Sequence, residues 1–212
     1  MNEAELRVEM CRIGARLWER GLVGAAEGNL SCRLDERSFL CTPSGLSKGH
    51  MKPDDLVVID LRGNPIGPGK PSSEIRLHLG IFRERPDCQA VIHAHPPVAT
   101  GFSVAEEPIP DDILPEAAVV LGPVITVPFC MPGTDEVPDA LKPYLPKAKS
   151  FLLGHHGAVV LGKSLEDAFN RMETLERIAS ILLVSKQLGG PKRIRHPGFE
   201  RLLAETLHGR LD

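Results

Sequence analysis

The sequence lacks a basic stripe, a long apolar run and paired cysteines, and each lack removes a class of protein. Lys and Arg number 25 against 28 Asp and Glu, for a formal net charge of -3. Both signs are interspersed, so no positive face is set out for nucleic acid or an anionic membrane. A small anion is not excluded, because local donors rather than net charge decide that. No stretch approaches the ~18 apolar residues of a membrane span. Met1 to Glu9 is charged and amphipathic, unlike the basic-then-apolar pattern of a secretory signal. Cys11, Cys32, Cys41, Cys88 and Cys130 are odd in number and scattered, without a C-x-x-C pair. They read as reduced, mostly buried thiols of a cytoplasmic protein. Internal repeats and low-complexity segments are also absent.

What is present is an ordinary folding composition: 212 residues, 42% hydrophobic and 25% charged. That supports one domain over residues 1–212 with one substantial core. Leu6, Met10, Ile13 and Leu17 recur at helical spacing, so residues 3 to 20 are expected to be an amphipathic helix. Short β-rich runs follow at Phe39–Thr42, Leu56–Asp60, Ala90–His95, Val124–Phe129, Phe151–Leu153 and Ala158–Leu161. Helices are expected at Ser73–Arg83, at Asp135–Leu141 and, most clearly, from Ser164 to about Leu188, with Ser164 as N-cap and Gly189-Gly190-Pro191 as stop. The interleaving predicts an α/β layered domain with a mixed sheet, one antiparallel hairpin falling near residues 151 to 161. Gly63–Pro71 reads as a loop leading into a site, and residues 191 to 212 as a basic turn and a short last helix.

Val91-Ile92-His93-Ala94-His95 places two imidazoles two residues apart at the end of an apolar strand. Strand alternation sends both to one face, which is chelating geometry. A second group, Leu152-Leu153-Gly154-His155-His156-Gly157, ends another apolar run, where His155 and His156 would point in opposite directions and only one joins the first pair. Glu74, opening a helix after Pro71-Ser72-Ser73, is the carboxylate candidate. Three imidazoles and a carboxylate suit Zn²⁺, with Mn²⁺ or Co²⁺ as alternatives. A lone strand histidine is more often packing than ligand; it is the second cluster at another strand end that argues for a metal. His78, four residues after Glu74, fits a helix face, with a ligand role as the alternative. His50, His196 and His208 read as solvated. For an anion, Glu27-Gly28-Asn29-Leu30-Ser31 and Thr42-Pro43-Ser44-Gly45 read as polar turns, and Ser72 and Ser73 precede free helix N–H groups.

Gly28-Asn29-Leu30-Ser31, Thr42-Pro43-Ser44-Gly45, Pro71-Ser72-Ser73-Glu74, His93-Ala94-His95 and His155-His156-Gly157, in this order, resemble the class II aldolase/adducin family from about residue 5 to about residue 188. The resemblance implies an α/β/α three-layer sandwich with a mixed, largely antiparallel sheet, and a homotetramer with active sites at subunit interfaces. Carried over by position, it makes Glu74, His93, His95 and His156 the metal ligands, and Asn29, Ser44, Gly45, Ser72 and Ser73 the phosphate-binding positions. It implies a zinc-dependent aldolase that cleaves a ketose 1-phosphate, such as fuculose 1-phosphate or a 5-deoxypentulose 1-phosphate, to dihydroxyacetone phosphate and an aldehyde through a metal-stabilised enediolate. Glu74 would serve as base. Aldolases of this family also use a tyrosine from the neighbouring subunit, in the stretch that here reads Asp111-Asp112-Ile113-Leu114-Pro115-Glu116. Glu116 is the proton-transfer group nearest that place; Tyr144, the one tyrosine, lies well downstream. The alternatives are a sugar-phosphate dehydratase or decarboxylase, a ribulose-phosphate 4-epimerase, and a non-catalytic adducin-like interaction module.

Overall fold

A computed structural model describes residues 1–207; the expectation for His208 falls outside them. Helix α1 (Glu3–Glu19) starts at Asn2, whose side chain accepts from the Glu5 backbone while the Glu5 side chain caps Asn2 in return. Its face of Met10, Ile13, Gly14 and Leu17 is buried, as the periodicity predicts. Helix α5 (Leu165–Gln187) starts where Ser164 Oγ accepts from Asp167 N at 3.0 Å. It buries Leu165, Phe169, Met172, Leu175, Ala179 and Leu182 along one stripe.

Seven strands form one sheet: β1 (Asn29–Arg33), β2 (Ser38–Cys41), β3 (Val57–Asp60), β4 (Ala90–Ala94), β5 (Val124–Val127), β6 (Ser150–Leu153) and β7 (Gly157–Gly162). Their order is β3-β2-β1-β4-β7-β6-β5. Every neighbouring pair is antiparallel except β5 with β6. Strand alternation divides the core in two. Leu30, Ile92, Ala94, Ala158 and Val160 face α1, α5 and α3 (Pro97–Val104). Phe39, Val91, Phe151, Val159 and Leu161 face α2 (Ile75–Glu84) and α4 (Glu136–Leu141). The result is the expected three-layer α/β/α sandwich with a mixed, largely antiparallel sheet. The last helix is α6 (Pro197–Leu207). Among the described residues no helix is long and apolar enough to cross a membrane.

Two segments differ from the expectations. Residues 29 to 33, read as a polar turn, form a strand between β2 and β4, with Asn29 opposite His93 and Ser31 opposite Val91. Asn29 and Ser31 are buried there despite their polarity. Between β4 and β5, where no element was expected, lie α3 and a π-helical turn, Ala117–Leu121. At the end of α1, Trp18 packs over Gly49 and meets His50 with ring centroids 5.2 Å apart.

Candidate metal centre

Alternation in β4 sends His93 to the α2 side of the sheet, and His95, one residue beyond the strand, follows the same parity. The β6–β7 turn brings His156 to the same end. In that turn His155 takes φ +53°, the left-handed region that non-glycine residues seldom adopt. Its side chain stays exposed while His156 points inward. Gly157 is required by close approach: a Cβ there would lie 2.6 Å from both Ala94 O and the His95 ring. Gly28, at φ +70°, similarly lets β1 begin against the His93 carbonyl. Glu74 comes from the N-cap position of α2.

These elements converge on one point. One ring nitrogen from each of His93, His95 and His156 lies within 4.8 Å of the others. His93 Nε2 and His95 Nε2 are 3.1 Å apart. Glu74 Oε2 lies 3.3 Å from His93 Nε2, and its Oε1 lies 3.3 Å from His156 Nε2. Two ligands of a tetrahedral ion, each about 2.05 Å from it, would be about 3.3 Å apart. Three of the donor pairs, at 3.1 to 3.3 Å, therefore already hold the separation that a shared ion imposes.

The surrounding contacts fix which nitrogens point inward. His93 Nδ1 donates to Ala158 O at 2.9 Å, and His95 Nδ1 donates to Glu27 Oε2 at 3.3 Å. In neutral rings both Nε2 lone pairs then face each other, a repulsive contact that a cation relieves. Burial pushes His95 and His156 below the usual histidine range, His156 to about 4, and the neighbouring His93 adds to both shifts. Neutral imidazole is the form that ligates. Burial pulls the Glu74 carboxyl upward, but His93, His156 and the Asn29 amide outweigh it and hold the group at about 2. His156 Nδ1 is buried with no partner among the described residues. Three imidazoles and an ionised carboxylate fit a borderline divalent ion.

With that geometry in place, comparison with known proteins is informative. The sequence matches the Class II Aldolase and Adducin N-terminal domain over residues 8–183. The chain belongs to this class II aldolase family. It is 34% identical over 199 residues to the 3-oxo-tetronate 4-phosphate decarboxylase of Pectobacterium atrosepticum, covering 92% of this chain and 89% of that one. It is 32% identical over 181 residues to the L-fuculose phosphate aldolase of Methanococcus maripaludis, covering 85% and 96%. The crystal structure of YgbL from Klebsiella pneumoniae superposes with a TM-score of 0.82 at 36% identity, covering 87% and 91%.

Class II aldolases act on phosphorylated sugars; of the expected phosphate positions, Ser44, Gly45, Ser72 and Ser73 occupy neighbouring loops and Asn29 opens β1. Ser44 N bonds Lys70 O at 3.0 Å and Ser72 N bonds Thr42 O at 3.2 Å, so the loops at residues 42–45 and 70–73 are joined. Ser44, Gly45 and Ser73 are exposed, whereas Ser72 Oγ accepts from Glu74 N at 3.3 Å. Asn29 is 3% exposed and donates to Glu74 Oε2 at 2.9 Å. Buried Lys48 donates to Ala26 O and Leu46 O, tying the loop before β1 to the loop after β2. Glu116 is not brought to the histidines of its own chain: it is exposed beside Arg20, Glu173 and Arg177 on the α1/α5 side.

Two of the residues that shape the centre carried no functional assignment from sequence, and a third only an alternative one. His78, read from sequence as a helix-face residue with a ligand role as the alternative, lies on the buried face of α2 beneath Glu74. Glu27, which orients His95, and Gly157 stand inside motifs whose other members drew the attention.

Proposed function

We propose that the chain is a metal-dependent decarboxylase of a phosphorylated 3-oxo sugar acid, releasing carbon dioxide and leaving dihydroxyacetone phosphate. The observation that carries this reading is the convergence of Glu74 with His93, His95 and His156, in a chain with no tyrosine in the 111–116 stretch. Both decarboxylation and aldol cleavage break a carbon–carbon bond one carbon from a ketone. In aldol cleavage the departing carbon also bears a hydroxyl whose proton must be removed, and aldolases of the family supply a tyrosine for the proton transfer. A carboxylate departs as carbon dioxide with no such proton. The decarboxylases among the relatives support the same choice.

Glu74, His93, His95 and His156 would hold a Zn²⁺, with Mn²⁺ or Co²⁺ as alternatives, which would supply a Lewis acid for the substrate ketone. Asn29, Ser44, Gly45, Ser72 and Ser73 hold the substrate phosphate and so keep the breaking bond in register. When the bond breaks, its electron pair passes toward the ketone, and the remaining carbon then needs one proton. Glu74 would relay it from solvent. A relay of this kind contributes roughly 10²- to 10⁴-fold. Glu116 faces outward, so its acid/base role would be exercised in a neighbouring subunit's site. The exposed apolar residues Ile181 and Val184 on the late turns of α5, and Leu188 at its C-cap, support an assembly, which we take to be a homotetramer of single-domain chains. Five free cysteines support a reducing, cytoplasmic setting.

Aldol cleavage of a ketose 1-phosphate remains a second reading, favoured by the fuculose phosphate aldolases among the relatives. Zinc-loaded protein and a Glu74→Gln control would be incubated in parallel with 3-oxo-tetronate 4-phosphate and with fuculose 1-phosphate, and the products followed by NMR. Carbon dioxide with equimolar dihydroxyacetone phosphate from the oxo acid, dependent on Glu74, supports the proposal. Lactaldehyde and dihydroxyacetone phosphate from fuculose 1-phosphate alone would replace it with the second reading.

A further inference from the structure

Beneath the metal-facing carboxylate runs a chain of buried hydrogen bonds. Ser31 Oγ meets His78 Nδ1, His78 Nε2 meets Asn29 Oδ1, and Asn29 Nδ2 donates to Glu74 Oε2. Ser31, His78 and Asn29 are 0%, 1% and 3% exposed. A buried polar group left unpaired is costly, so the sense of each bond matters.

Only one sense satisfies every group once Glu74 is ionised. A carboxylate only accepts, so Asn29 must present its NH₂ and turn its oxygen toward His78. That oxygen requires the hydrogen on Nε2. Nδ1 then carries the lone pair, and the Ser31 hydroxyl donates to it. His78 is fixed on the first turn of α2, one turn after Glu74, so the carboxylate is referenced to the helix that carries it.

We propose that His78 is a positioning residue of the metal centre: acting through the Asn29 amide, it holds Glu74 so that Oε2 faces His93 and Oε1 faces His156. The inference rests on the reading of the site as a divalent-metal centre and is independent of which carbon–carbon bond is broken. Partners behind metal ligands of this kind typically change affinity by about 10- to 100-fold.

Three variants of the full chain separate this role from packing. In His78→Gln the amide nitrogen falls near the place of Nε2 and can still donate to Asn29. In His78→Asn the amide reaches only the Nδ1 place, and in His78→Phe neither donor remains. Folding would be checked by circular dichroism and thermal melting. Zinc affinity would be measured by competition with a chromophoric chelator, and ligand geometry by the visible d–d bands of the Co²⁺-loaded protein. The expected result is that Asn and Phe bind zinc roughly 10- to 100-fold more weakly with altered Co²⁺ bands, while Gln stays within roughly threefold of wild type. Folded Asn and Phe variants with wild-type affinity and bands would overturn the proposal, as would a Gln variant as weak as Phe. Should the His78 variants fail to fold, Ser31→Ala removes only the hydroxyl that fixes the tautomer. It is expected to weaken zinc binding roughly three- to tenfold, and no change would overturn the proposal. Wild-type protein that binds no zinc sinks the metal-centre reading itself, whereas tight wild-type binding with unaffected variants sinks only this inference.

Discussion

The Nε2 atoms of His93 and His95 stand 3.1 Å apart, each ring with its Nδ1 already committed, one to Ala158 O and the other to Glu27. In neutral rings the two Nε2 lone pairs face each other, a contact that a divalent ion relieves. The wild-type chain is therefore expected to bind one equivalent of Zn²⁺ and to melt at a higher temperature with it. At free zinc 1,000-fold above the dissociation constant the gain is about 4 kcal/mol. Calorimetric titration and melting with and without chelator would check this; identical melts at saturating zinc would argue against a built site.

Glu74→Gln keeps the size of the side chain and the contact with Asn29 but removes the charge. Turnover is expected to fall by roughly 10²- to 10⁴-fold, with the metal held more weakly. Steady-state kinetics at saturating zinc separate the two effects. Retained turnover with lowered affinity would restrict Glu74 to ligation.

Gly157→Ala tests how closely β7 approaches the ligands. Its methyl would press on Ala94 O and the His95 ring, each 2.6 Å from the Cβ position, so zinc affinity is expected to fall roughly 10- to 100-fold. Gly101→Ala is the contrasting case. Gly101 is exposed within α3 and a Cβ there meets nothing within 4 Å. Stability is expected to rise by about 0.5–1 kcal/mol, read as a higher urea midpoint, with metal binding unchanged.

Acid should loosen the metal-free fold before ordinary carboxylates titrate. Burial lowers His78 to about 3 and His156 to about 4 from an ordinary value of 6.5. The unfolded chain therefore takes up protons below pH 6.5 that the folded chain refuses, and stability falls as pH drops through that window. Each histidine contributes a slope approaching 1.4 kcal/mol per pH unit. Urea unfolding of metal-free protein between pH 7 and pH 4.5 should show the decline, and His78→Gln should make it shallower. Parallel profiles would mean that His78 does not stay neutral in the fold.

The sandwich and most of the centre were legible because their signals are local. His93 and His95 sit two apart on a run that could only be a strand, and the stripe on α5 is long and capped. His155 and His156 could not be told apart from strand alternation alone, because His155 leaves the extended region and takes the left-handed turn. The strand at residues 29 to 33 was hidden for a different reason. Asn29 and Ser31 look like turn residues, and they tolerate burial in a sheet only because His78, some fifty positions away, satisfies them. Propensity counts neighbours in sequence and has no access to a partner supplied by α2. The roles of Glu27 and Gly157 likewise depend on which ring lies against them.

The chain carries one tryptophan, and Trp18 rests on Gly49 and His50, beside the buried Lys48 whose ammonium joins the loops at Ala26 and Leu46. Its indole emission is thus an unlabelled optical gauge of a single joint in the molecule. A phosphate bound at the loop of residues 42–45, as proposed, would pull on that joint, and its occupancy is then expected to be readable as light without any chemistry having to occur.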